Sequence, residues 1–537
     1  MAVKKRDNWG SRLGVIMAVS GSAIGLGNFL RFPAKAASNG GGAFMIPYFI
    51  SILLLGIPLM WIEWTLGRYG GGFGHGTAPG IFHSVWRKNR FIKYFGVIGI
   101  FGPLVILIYY TYIESWTLGY SIFSLMGKYA DINTQAAMQS FLSGYQGLEK
   151  NQYFSGIKPA YFFFLLTFIL NIYVIYYGIK GGIEKLCKIG LPLLFICGAV
   201  LFLRVVTLGA PDPSRPDWNI LNGFGFLWNP DFSALKSAKV WLEAAGQVFF
   251  TLSVGIGVIL TYASYLSKGD DVALSGLTAA STNELAEVIL GGSIVIPAAF
   301  VFFGPTEIGS IARSGVFNLG FVTMPLVLNQ MPLSQMLGFI WFALLFLAGI
   351  TSSVSLAQPA IAFLEDEFDI SRKKAVAIFA VVLFILCHMA IFFLSKGVVD
   401  ELDFWGGTFF LVVFATIETI LFAWIFGTST TLSADGERRR TIGMDNAWDE
   451  IHKGADMRVP KVYKFIIKYV TPLFLFVILG MWFWQEWLPI IIMKNVPSAN
   501  HAYVLGARII LLLIFFVLGI MVKIAWRRKR LRREGIK

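Results

Sequence analysis

Two short stretches rich in glycine and serine interrupt sequence that otherwise reads as membrane-spanning helix. One is SGSAIGLG at residues 20–27, and the other is TLSVGIGV at residues 251–258. Glycine inside a helix costs about 0.5–1 kcal/mol relative to alanine, and a backbone group freed in hydrocarbon needs a new partner. Freed carbonyls attract cations, and freed N–H groups attract carboxylates. The pattern therefore predicts a site for a cation and a zwitterion that is built largely from backbone.

Close helix packing is the alternative explanation for these glycines, because small residues let helices approach each other. Packing motifs place glycines four residues apart, whereas Gly25 and Gly27, and likewise Gly255 and Gly257, are two apart and adjoin serines. The two stretches are also five predicted spans apart. That arrangement favours an inverted-repeat bundle in which helices 1 and 6 are broken at mid-membrane.

The elements that position these stretches are apolar helices. The chain has 537 residues, of which 56% are hydrophobic and 14% are charged, whereas an ordinary soluble domain is about a quarter charged. About 20 apolar residues suffice for a helix to cross a bilayer. The fold class is therefore an all-α integral membrane protein with a five-plus-five inverted repeat. Twelve transmembrane helices are predicted, at residues 12–37, 42–66, 91–124, 160–178, 189–209, 240–266, 281–304, 334–364, 374–395, 404–427, 465–484 and 503–526.

The net charge of +14 is concentrated at the chain ends and in alternate loops. Lys and Arg occupy the loops at 67–90, 179–188 and 428–464, and both ends of the chain are basic. This pattern is typical of cytoplasmic segments that face an anionic leaflet, not of nucleic-acid binding. We therefore expect a multi-pass protein of the plasma (inner) membrane with both termini in the cytoplasm, surrounded by the lipid bilayer and without a nucleic-acid partner.

The predicted domain organisation has three parts. Residues 1–427 are expected to form a core of ten helices, with inverted repeats at about 1–209 and 240–427, and residues 465–537 to form helices 11 and 12 with a basic cytoplasmic tail. Between them lies a cytoplasmic loop at 428–464, whose hydrophilic part is expected to be mobile. The three cysteines, Cys187, Cys197 and Cys387, share no metal-ligand spacing and are interpreted as buried thiols.

Seven motifs in the chain carry a family resemblance. They are NWGSRLGVIMAVSGSAIGLGNFLRFP, NGGGAFMIPY, PLMWIEWTLGRYG, YYTYIESWTLG, GQVFFTLSVGIG, LAGITSSVSLAQP and DFWGGT. These motifs resemble the sodium-dependent neurotransmitter symporter family, and its leucine-transporting bacterial member in particular, from about residue 4 to the twelfth predicted span, apart from a longer insert at 428–446. The resemblance implies a sodium-coupled symporter of neutral, mostly apolar amino acids that works by alternating access, binds two Na+ ions and is not an enzyme.

The resemblance implies two sodium sites and a substrate pocket, which share several residues. Sodium site 1 would comprise Ala23, Asn28, Thr251 and Asn283 together with the substrate carboxylate, and sodium site 2 would comprise Gly21, Ile24, Ala348, Thr351 and Ser352. A hydroxyl bond to the preceding helical turn is the structural alternative for Thr351 and Ser352. The substrate pocket would be lined by Ser22, Ala23, Gly25, Leu26, Gly27, Ile106, Tyr110, Phe250, Thr251, Ser253, Ile256, Ser352 and Leu356.

Individual pocket positions bear on the substrate. Tyr110 would bind the substrate carboxylate, and Phe250 would cover it. The family's monoamine carriers have an aspartate at the position of Gly25, so a glycine there implies a substrate that brings its own carboxylate. Ile256 stands where the leucine-transporting member has phenylalanine, and Ser22, Ile106 and Leu356 also differ from it. A one-methylene difference is worth only about 1–3 kcal/mol, so leucine, methionine and aromatic amino acids remain open.

Charged residues inside or beside the predicted spans complete the expected mechanism. Chloride-dependent members have a serine where this chain has Glu287, so its carboxylate is expected to replace chloride, and no chloride requirement follows. Glu63 is expected to accept hydrogen bonds from the broken sixth span, whereas Glu114 and Glu418 receive no role. The resemblance also implies gates, which would pair Arg31 through water with Asp403 on the outside and Arg6 with Asp366, near Ser264 and Tyr265, on the inside.

Other classes of protein fit the sequence less well. A membrane enzyme would need a catalytic constellation, but the five histidines are scattered and GLGNFL lacks the third glycine of a dinucleotide site. A channel would need a continuous polar pore. A sensor that binds an amino acid with sodium but does not transport it remains open, as do the preferred amino acid, the ion stoichiometry and the oligomeric state, a dimer included.

Overall fold

The structure is a computed structural model that describes residues 7–427, 430–432, 438–440 and 443–533. It is built from helices, and within the described ranges the only strands are β1 (Thr430–Leu432) and β2 (Arg438–Arg440), an antiparallel pair. In chain order the helices are α1 (Arg12–Ala23), α2 (Leu26–Ser38), α3 (Gly42–Gly71), α4 (Ala78–Val85), α5 (Ile92–Leu125), α6 (Gln135–Tyr145), α7 (Lys158–Tyr176), α8 (Ile179–Val206), α9 (Ile220–Trp228), α10 (Ala238–Leu252), α11 (Val258–Ala263), α12 (Ala273–Arg313), α13 (Val316–Asn329), α14 (Ser334–Phe368), α15 (Arg372–Phe392), α16 (Val398–Ile425), α17 (Gly443–Ile451), α18 (Val462–Ile491) and α19 (Ser498–Leu531).

Ten of these helices are long and apolar enough to cross a membrane, namely α3, α5, α7, α8, α12, α14, α15, α16, α18 and α19. The pair α1 and α2 qualifies when taken together, which gives eleven spans among the described residues. The predicted count of twelve is not reached by length and composition, because residues 238–263 form α10 and α11, of 15 and 6 residues, and neither is long enough alone.

The first glycine-rich stretch separates α1 from α2, which are bent by 55° relative to each other. Ile24 has an extended backbone (φ −75°, ψ 91°), and Gly25 is extended as well (φ −120°, ψ −167°). The N–H of Gly25 donates to the side-chain oxygen of Asn28 at 2.9 Å, not to the carbonyl of Gly21. The Gly21 carbonyl is thereby left for a partner outside its own helix.

The second stretch, residues 253–257, separates α10 from α11. Gly257 has φ +88°, and a Cβ atom there would lie 2.5 Å from the carbonyl oxygen of Gly99 in α5, so both the conformation and the close approach require glycine. The N–H of Gly255 donates to Oε1 of Glu63 at 2.5 Å. This contact confirms the prediction that Glu63 accepts a hydrogen bond from this part of the chain.

The expected mobile loop at 428–460 contains a helix in its second half, so that prediction is wrong for residues 443–451. Met444, Ala447 and Ile451 lie on one face of α17 and are buried, where they pack against α3 and α16. The hydrophilic composition concealed this apolar face, since three residues at helical spacing suffice to dock a short helix.

Arg68, near the end of α3, holds α17 and the segment after it against the bundle. Its side chain is 1% exposed and donates to the carbonyl oxygens of Asp270 (2.6 Å), Lys453 (2.7 Å) and Glu450. Arg68 thus joins three backbone segments that are distant in sequence. A fixed fork of N–H donors suits this task better than the point charge of a lysine.

Replacing Arg68 with alanine is expected to lower the free energy of unfolding by about 3 kcal/mol, because it removes the buried donor to the Glu450 carbonyl, the donors to two half-buried carbonyls and one ion-pair partner of Glu450. The thermal unfolding midpoint of the purified protein measures this loss. The matched control is Arg87→Ala, which removes an exposed guanidinium that stacks on Phe73 and should shift the midpoint little. Equal shifts for the two variants would contradict the assigned role of Arg68.

Candidate functional site

Four elements meet around the predicted substrate pocket: the α1–α2 break, the α10–α11 break, and the middles of α5 and α14. They enclose a cavity of about 30 Å³ that is lined by eleven of the thirteen predicted residues together with Asn28. Of the two others, Leu26 donates its backbone N–H to the Tyr110 hydroxyl at 3.2 Å, and Thr251 lies in the adjacent oxygen cluster described next. The structure therefore brings the predicted pocket residues together.

The first oxygen cluster consists of the predicted residues of sodium site 1. The Asn28 amide nitrogen donates to Oδ1 of Asn283 at 2.8 Å and to the Thr251 hydroxyl at 3.2 Å. Oδ1 of Asn283 also lies 3.2 Å from the Thr251 carbonyl oxygen and 3.3 Å from the Ala23 carbonyl oxygen. With the Asn283 amide turned over, its nitrogen donates to both carbonyls and its oxygen accepts from the Thr251 hydroxyl at 2.9 Å. In either orientation two carbonyls, a hydroxyl and two amide side chains meet here, and their oxygens are of the type that binds hard cations.

The second oxygen cluster joins α14 to the end of α1. The Ser352 hydroxyl lies 3.3 Å from the Gly21 carbonyl, 3.2 Å from that of Ser22 and 3.5 Å from that of Ile24. All five residues predicted for sodium site 2 are adjacent here, because Thr351 contacts the Ala348 carbonyl at 3.2 Å. Thr351 also donates to the carbonyl of Leu347 in the preceding turn at 3.0 Å. The structural alternative for Thr351, a hydroxyl bond to the preceding turn, is therefore present in the structure.

A buried carboxylate, that of Glu287, borders the first oxygen cluster. It accepts hydrogen bonds from Tyr48 (2.9 Å), Gln247 (2.5 Å) and Thr251, and Asn283 approaches it at 3.4 Å. All four side chains can present a donor to this carboxylate, and hydrogen bonds of this kind favour its charged form. Tyr48, Gln247, Thr251 and Asn283 therefore surround the Glu287 carboxylate.

The sequence reasoning missed a second carboxylate at the same place. The Tyr48 hydroxyl lies 2.8 Å from Oε2 of Glu284, almost the same distance as from Glu287. Glu284 also approaches the Asn283 amide at 3.3 Å. Glu284 precedes Glu287 by three residues, nearly one helical turn, so their spacing in the sequence places both carboxylates on one helix face and could have revealed the second acid.

The side of the pocket that is predicted to face outward is covered by Phe250, whose ring adjoins both the small cavity and a larger cavity of about 270 Å³, called here the outer cavity. The Arg31 guanidinium stacks on this ring at 4.3 Å. Arg31 and Asp403 both line the outer cavity, but they form no direct ion pair, because Asp403 accepts instead from the Tyr109 hydroxyl at 2.6 Å. This arrangement leaves room for the predicted water-mediated contact.

The side that is predicted to face the cytoplasm is covered by the segment before α1 and by the first residue of α1, Arg12. Trp9 donates to the Tyr262 carbonyl at 3.0 Å and packs edge-on against its ring, and Arg12 pairs with Asp271 at 2.5 Å. Of the predicted inner gate, Tyr265 accepts from Gln358 at 2.8 Å. The Ser264 hydroxyl donates to the Thr261 carbonyl, and Asp366 lies near the end of α14. Arg6 lies outside the described residues, so its pairing with Asp366 stays a prediction.

Two acids without an assigned role are also buried inside the bundle. Glu114 accepts from the Asn171 amide at 3.0 Å, and Asn171 in turn accepts from the Ser353 hydroxyl at 2.5 Å. These hydrogen bonds link α5, α7 and α14 directly behind the second oxygen cluster. Glu418 in α16 is buried beside Glu63.

A bundle of apolar helices that meets at two backbone breaks and two oxygen clusters defines a membrane protein built to hold cations and a small polar ligand. Comparison with known proteins gives the family. The sequence profile of the sodium:neurotransmitter symporter family matches residues 6–140 and 133–528. The chain belongs to this family of sodium-dependent transporters, as the resemblance in its motifs predicts.

Individual relatives agree with this assignment. The chain is 31% identical over 481 residues to an uncharacterized sodium-dependent transporter of Methanocaldococcus jannaschii, which covers 88% of this chain and 90% of the relative. It is 26% identical over 462 residues to the sodium-dependent dopamine transporter of Bos taurus, an alignment that covers 79% of this chain and 63% of the relative. The crystal structure of MhsT in complex with L-phenylalanine superposes with a TM-score of 0.73 at 28% identity, covering 88% of this chain and 99% of that one.

Proposed function

We propose that this protein is a sodium-coupled symporter that carries neutral, mostly apolar amino acids by alternating access. The observation that carries the proposal is the pair of oxygen clusters at the two backbone breaks, on either side of one small pocket. The relatives are named as sodium-dependent transporters, which supports transport over catalysis. The proposed arrangement has a ten-helix core at 1–427 with broken helices 1 and 6, and both termini in the cytoplasm of the plasma membrane.

Two sodium ions are proposed, one in each cluster. The first cluster offers the carbonyls of Ala23 and Thr251 and the side chains of Asn28, Thr251 and Asn283, all of which are hard oxygen ligands or can present one. The second cluster offers the carbonyls of Gly21, Ile24 and Ala348 and the hydroxyls of Thr351 and Ser352. Both sets of ligands are neutral, so the positive charge of the first ion calls for an anionic ligand from the substrate.

The substrate carboxylate is that ligand. The hydroxyl of Tyr110 and the N–H of Leu26 lie 3.2 Å apart at the start of α2, where freed N–H groups favour an anion. Binding of the carboxylate next to the first ion makes each ligand raise the affinity of the other, which is the coupling that a symporter needs.

The rest of the pocket sets the class of side chain. Ile106, Phe250, Ile256 and Leu356 are apolar, and an ionised side chain among them would be buried without a partner. A neutral, apolar amino acid is therefore expected. The structural relative MhsT was solved with L-phenylalanine, which supports the inclusion of aromatic amino acids beside leucine and methionine.

Alternating access follows from the two covers over the pocket. Phe250 and Arg31 cover the outer side, and Trp9 with the Arg12–Asp271 pair covers the inner side. The outer cover contains no direct ion pair, and the inner cover contains one in which Asp271 is buried and Arg12 is 42% exposed, so neither cover is held by a fully buried ion pair and each can open in its turn. The inner gate is proposed to include Arg6 and Asp366, and the outer gate Arg31 and Asp403.

Uptake of radiolabelled neutral amino acids into proteoliposomes tests the function. We expect an inward sodium gradient to drive accumulation of one or a few apolar amino acids, and potassium or choline to support none. Sodium-dependent binding without accumulation would instead establish the sensor, which is the second candidate. Absence of any sodium effect on binding and uptake would refute both.

Replacing Tyr110 with phenylalanine is expected to weaken substrate binding about 10- to 100-fold, because a hydrogen bond to a charged group contributes about 1.5–3 kcal/mol. Sodium-dependent equilibrium binding of the labelled substrate measures the change. The matched control is Tyr120→Phe, on the same helix, whose buried hydroxyl has no hydrogen-bond partner among the described residues. Unchanged affinity in Tyr110→Phe would remove this hydroxyl from the carboxylate site.

A further inference from the structure

A basic cleft of about 770 Å³ lies at one end of the bundle, far in sequence from the transport site. It is formed where α5 begins and where α19 ends. The residues that matter here are four cations and two aromatic side chains, namely Arg90, Lys93, Tyr94, Lys523, Trp526 and Arg527. We call this set the basic cleft.

The charge of the basic cleft is uncompensated. No acidic residue lines it, and in the described part of the chain no carboxylate pairs with Arg90, Lys93, Lys523 or Arg527. Lys93 instead lies over the ring of Trp526, with its Nζ 5.2 Å from the ring centroid. Four cations held within one cleft repel each other unless an anion binds among them. The cleft is therefore complementary to a ligand with one or more phosphate groups.

The surroundings of the cleft distinguish a lipid from a soluble anion. Phe91 and Phe95, on either side of Lys93, are 73% and 51% exposed, and Ile520 and Ile524 on α19 are 56% and 41% exposed. Such apolar side chains at the ends of spanning helices face acyl chains. A half-buried tryptophan, Trp526, is typical of the membrane–water interface. A ligand with a phosphate head and apolar tails matches both parts.

The geometry points to a binding site for the phosphate-bearing headgroup of an anionic membrane lipid in the basic cleft, with its acyl chains against the exposed apolar residues of α5 and α19. Basic pockets between spanning helices on the cytoplasmic side are suited to anionic headgroups. This end of the bundle carries the basic loop 67–90 and the basic chain end, which the charge pattern predicts to be cytoplasmic. The inference does not depend on the transported substrate.

A bound lipid at this place would fasten the last helix to the core. Lys529 of α19 pairs with the buried carboxylate of Glu367 at 2.8 Å, and Glu367 also bonds to His75 at 2.9 Å. The ring of Trp526 stacks on His75 with an interplanar angle of 5°. The headgroup site thus adjoins the contacts that hold α19 against α14, so occupancy should raise the stability of the whole protein.

The test titrates the purified full-length protein in neutral detergent with phosphatidylglycerol, with phosphatidylcholine, and with inorganic phosphate. Bound lipids are counted by native mass spectrometry, and the thermal unfolding midpoint is followed in parallel. The test variant carries Arg90→Gln, Lys93→Gln, Lys523→Gln and Arg527→Gln. The control variant removes the same number of charges from exposed positions elsewhere, with Lys268→Gln, Lys374→Gln, Arg458→Gln and Lys461→Gln.

We expect phosphatidylglycerol, and not phosphatidylcholine, to bind and to raise the midpoint of the wild type and the control variant. The test variant should bind at least about tenfold more weakly. Should the fourfold variant fail to fold, Arg527→Gln alone, at an exposed side chain, is expected to weaken binding measurably. Equal binding by test and control variants would overturn the proposal. So would protection by inorganic phosphate at the same concentrations, since it would mark a site for a soluble anion.

Discussion

Uptake by a Glu287→Ser variant is expected to be at least about tenfold faster in sodium chloride than in sodium gluconate, whereas the wild type should show no difference. The carboxylate of Glu287 receives donors from Tyr48, Gln247 and Thr251. Its removal leaves the donors of Gln247 and Thr251 buried and unpaired, at a cost of about 1–3 kcal/mol for each group, whereas Tyr48 retains Glu284 as an acceptor. An anion the size of chloride, held by the same donors, can restore the missing charge. Proteoliposome uptake with the two sodium salts measures the effect.

Glu284→Gln is the matched control for this experiment, because it alters the other carboxyl group that contacts Tyr48. Glutamine retains an oxygen for the Tyr48 hydroxyl, and Glu284 has no contact with Gln247 or Thr251 among the described residues. This variant should stay indifferent to chloride. If Glu284→Gln becomes chloride-dependent and Glu287→Ser does not, the two acids have exchanged the roles proposed for them.

The Gly25→Ala substitution is expected to abolish amino-acid uptake and to weaken substrate binding by about 100-fold or more. A Cβ atom at this position would lie 2.9 Å from the Ser352 hydroxyl and 3.0 Å from the Tyr110 hydroxyl. Those hydroxyls belong to the proposed second sodium site and the carboxylate site, so the methyl group displaces a ligand of each. The apparent KM for uptake and sodium-dependent equilibrium binding measure the loss together.

Gly102→Ala is the control for the general effect of a methyl group within the bundle. Gly102 lies in α5, and a Cβ atom there would meet nothing closer than the Gly406 carbonyl at 3.6 Å, an ordinary contact. Uptake by this variant should match the wild type. Wild-type affinity in Gly25→Ala would show that the substrate carboxylate binds elsewhere in the pocket.

The sequence predicts much of the site because its ligands are backbone groups in local motifs. The extended backbone at Ile24 and Gly25 and the left-handed conformation at Gly257 follow from glycine and serine at mid-span. The resemblance then supplies the partners of these residues across the bundle. Eleven of thirteen predicted pocket residues line one cavity as a result, although their roles as ligands stay predictions.

Features that depend on contacts between distant segments could not be read from local patterns. The donors of Arg68 reach carbonyls some 200 and 385 residues away, and no motif marks a carbonyl as a partner. The apolar face of α17 is short and lies in hydrophilic sequence. Glu284 was overlooked because the comparison with chloride-dependent members directs attention to one acid, whereas the fold places two beside Tyr48.

The Ser352 hydroxyl faces more acceptors than it has hydrogens to donate. It possesses a single hydrogen, yet it faces the carbonyls of Gly21, Ser22 and Ile24 at 3.2–3.5 Å. The Ser22 carbonyl also accepts from the Ser253 hydroxyl at 3.0 Å, so the carbonyls of Gly21 and Ile24 compete for the Ser352 proton, and the junction between α1 and α14 is weakest when no positive charge lies there. A sodium ion would replace this competition with simultaneous bonds. Amide hydrogen exchange along α1 should therefore slow in sodium relative to potassium, even before any amino acid is added.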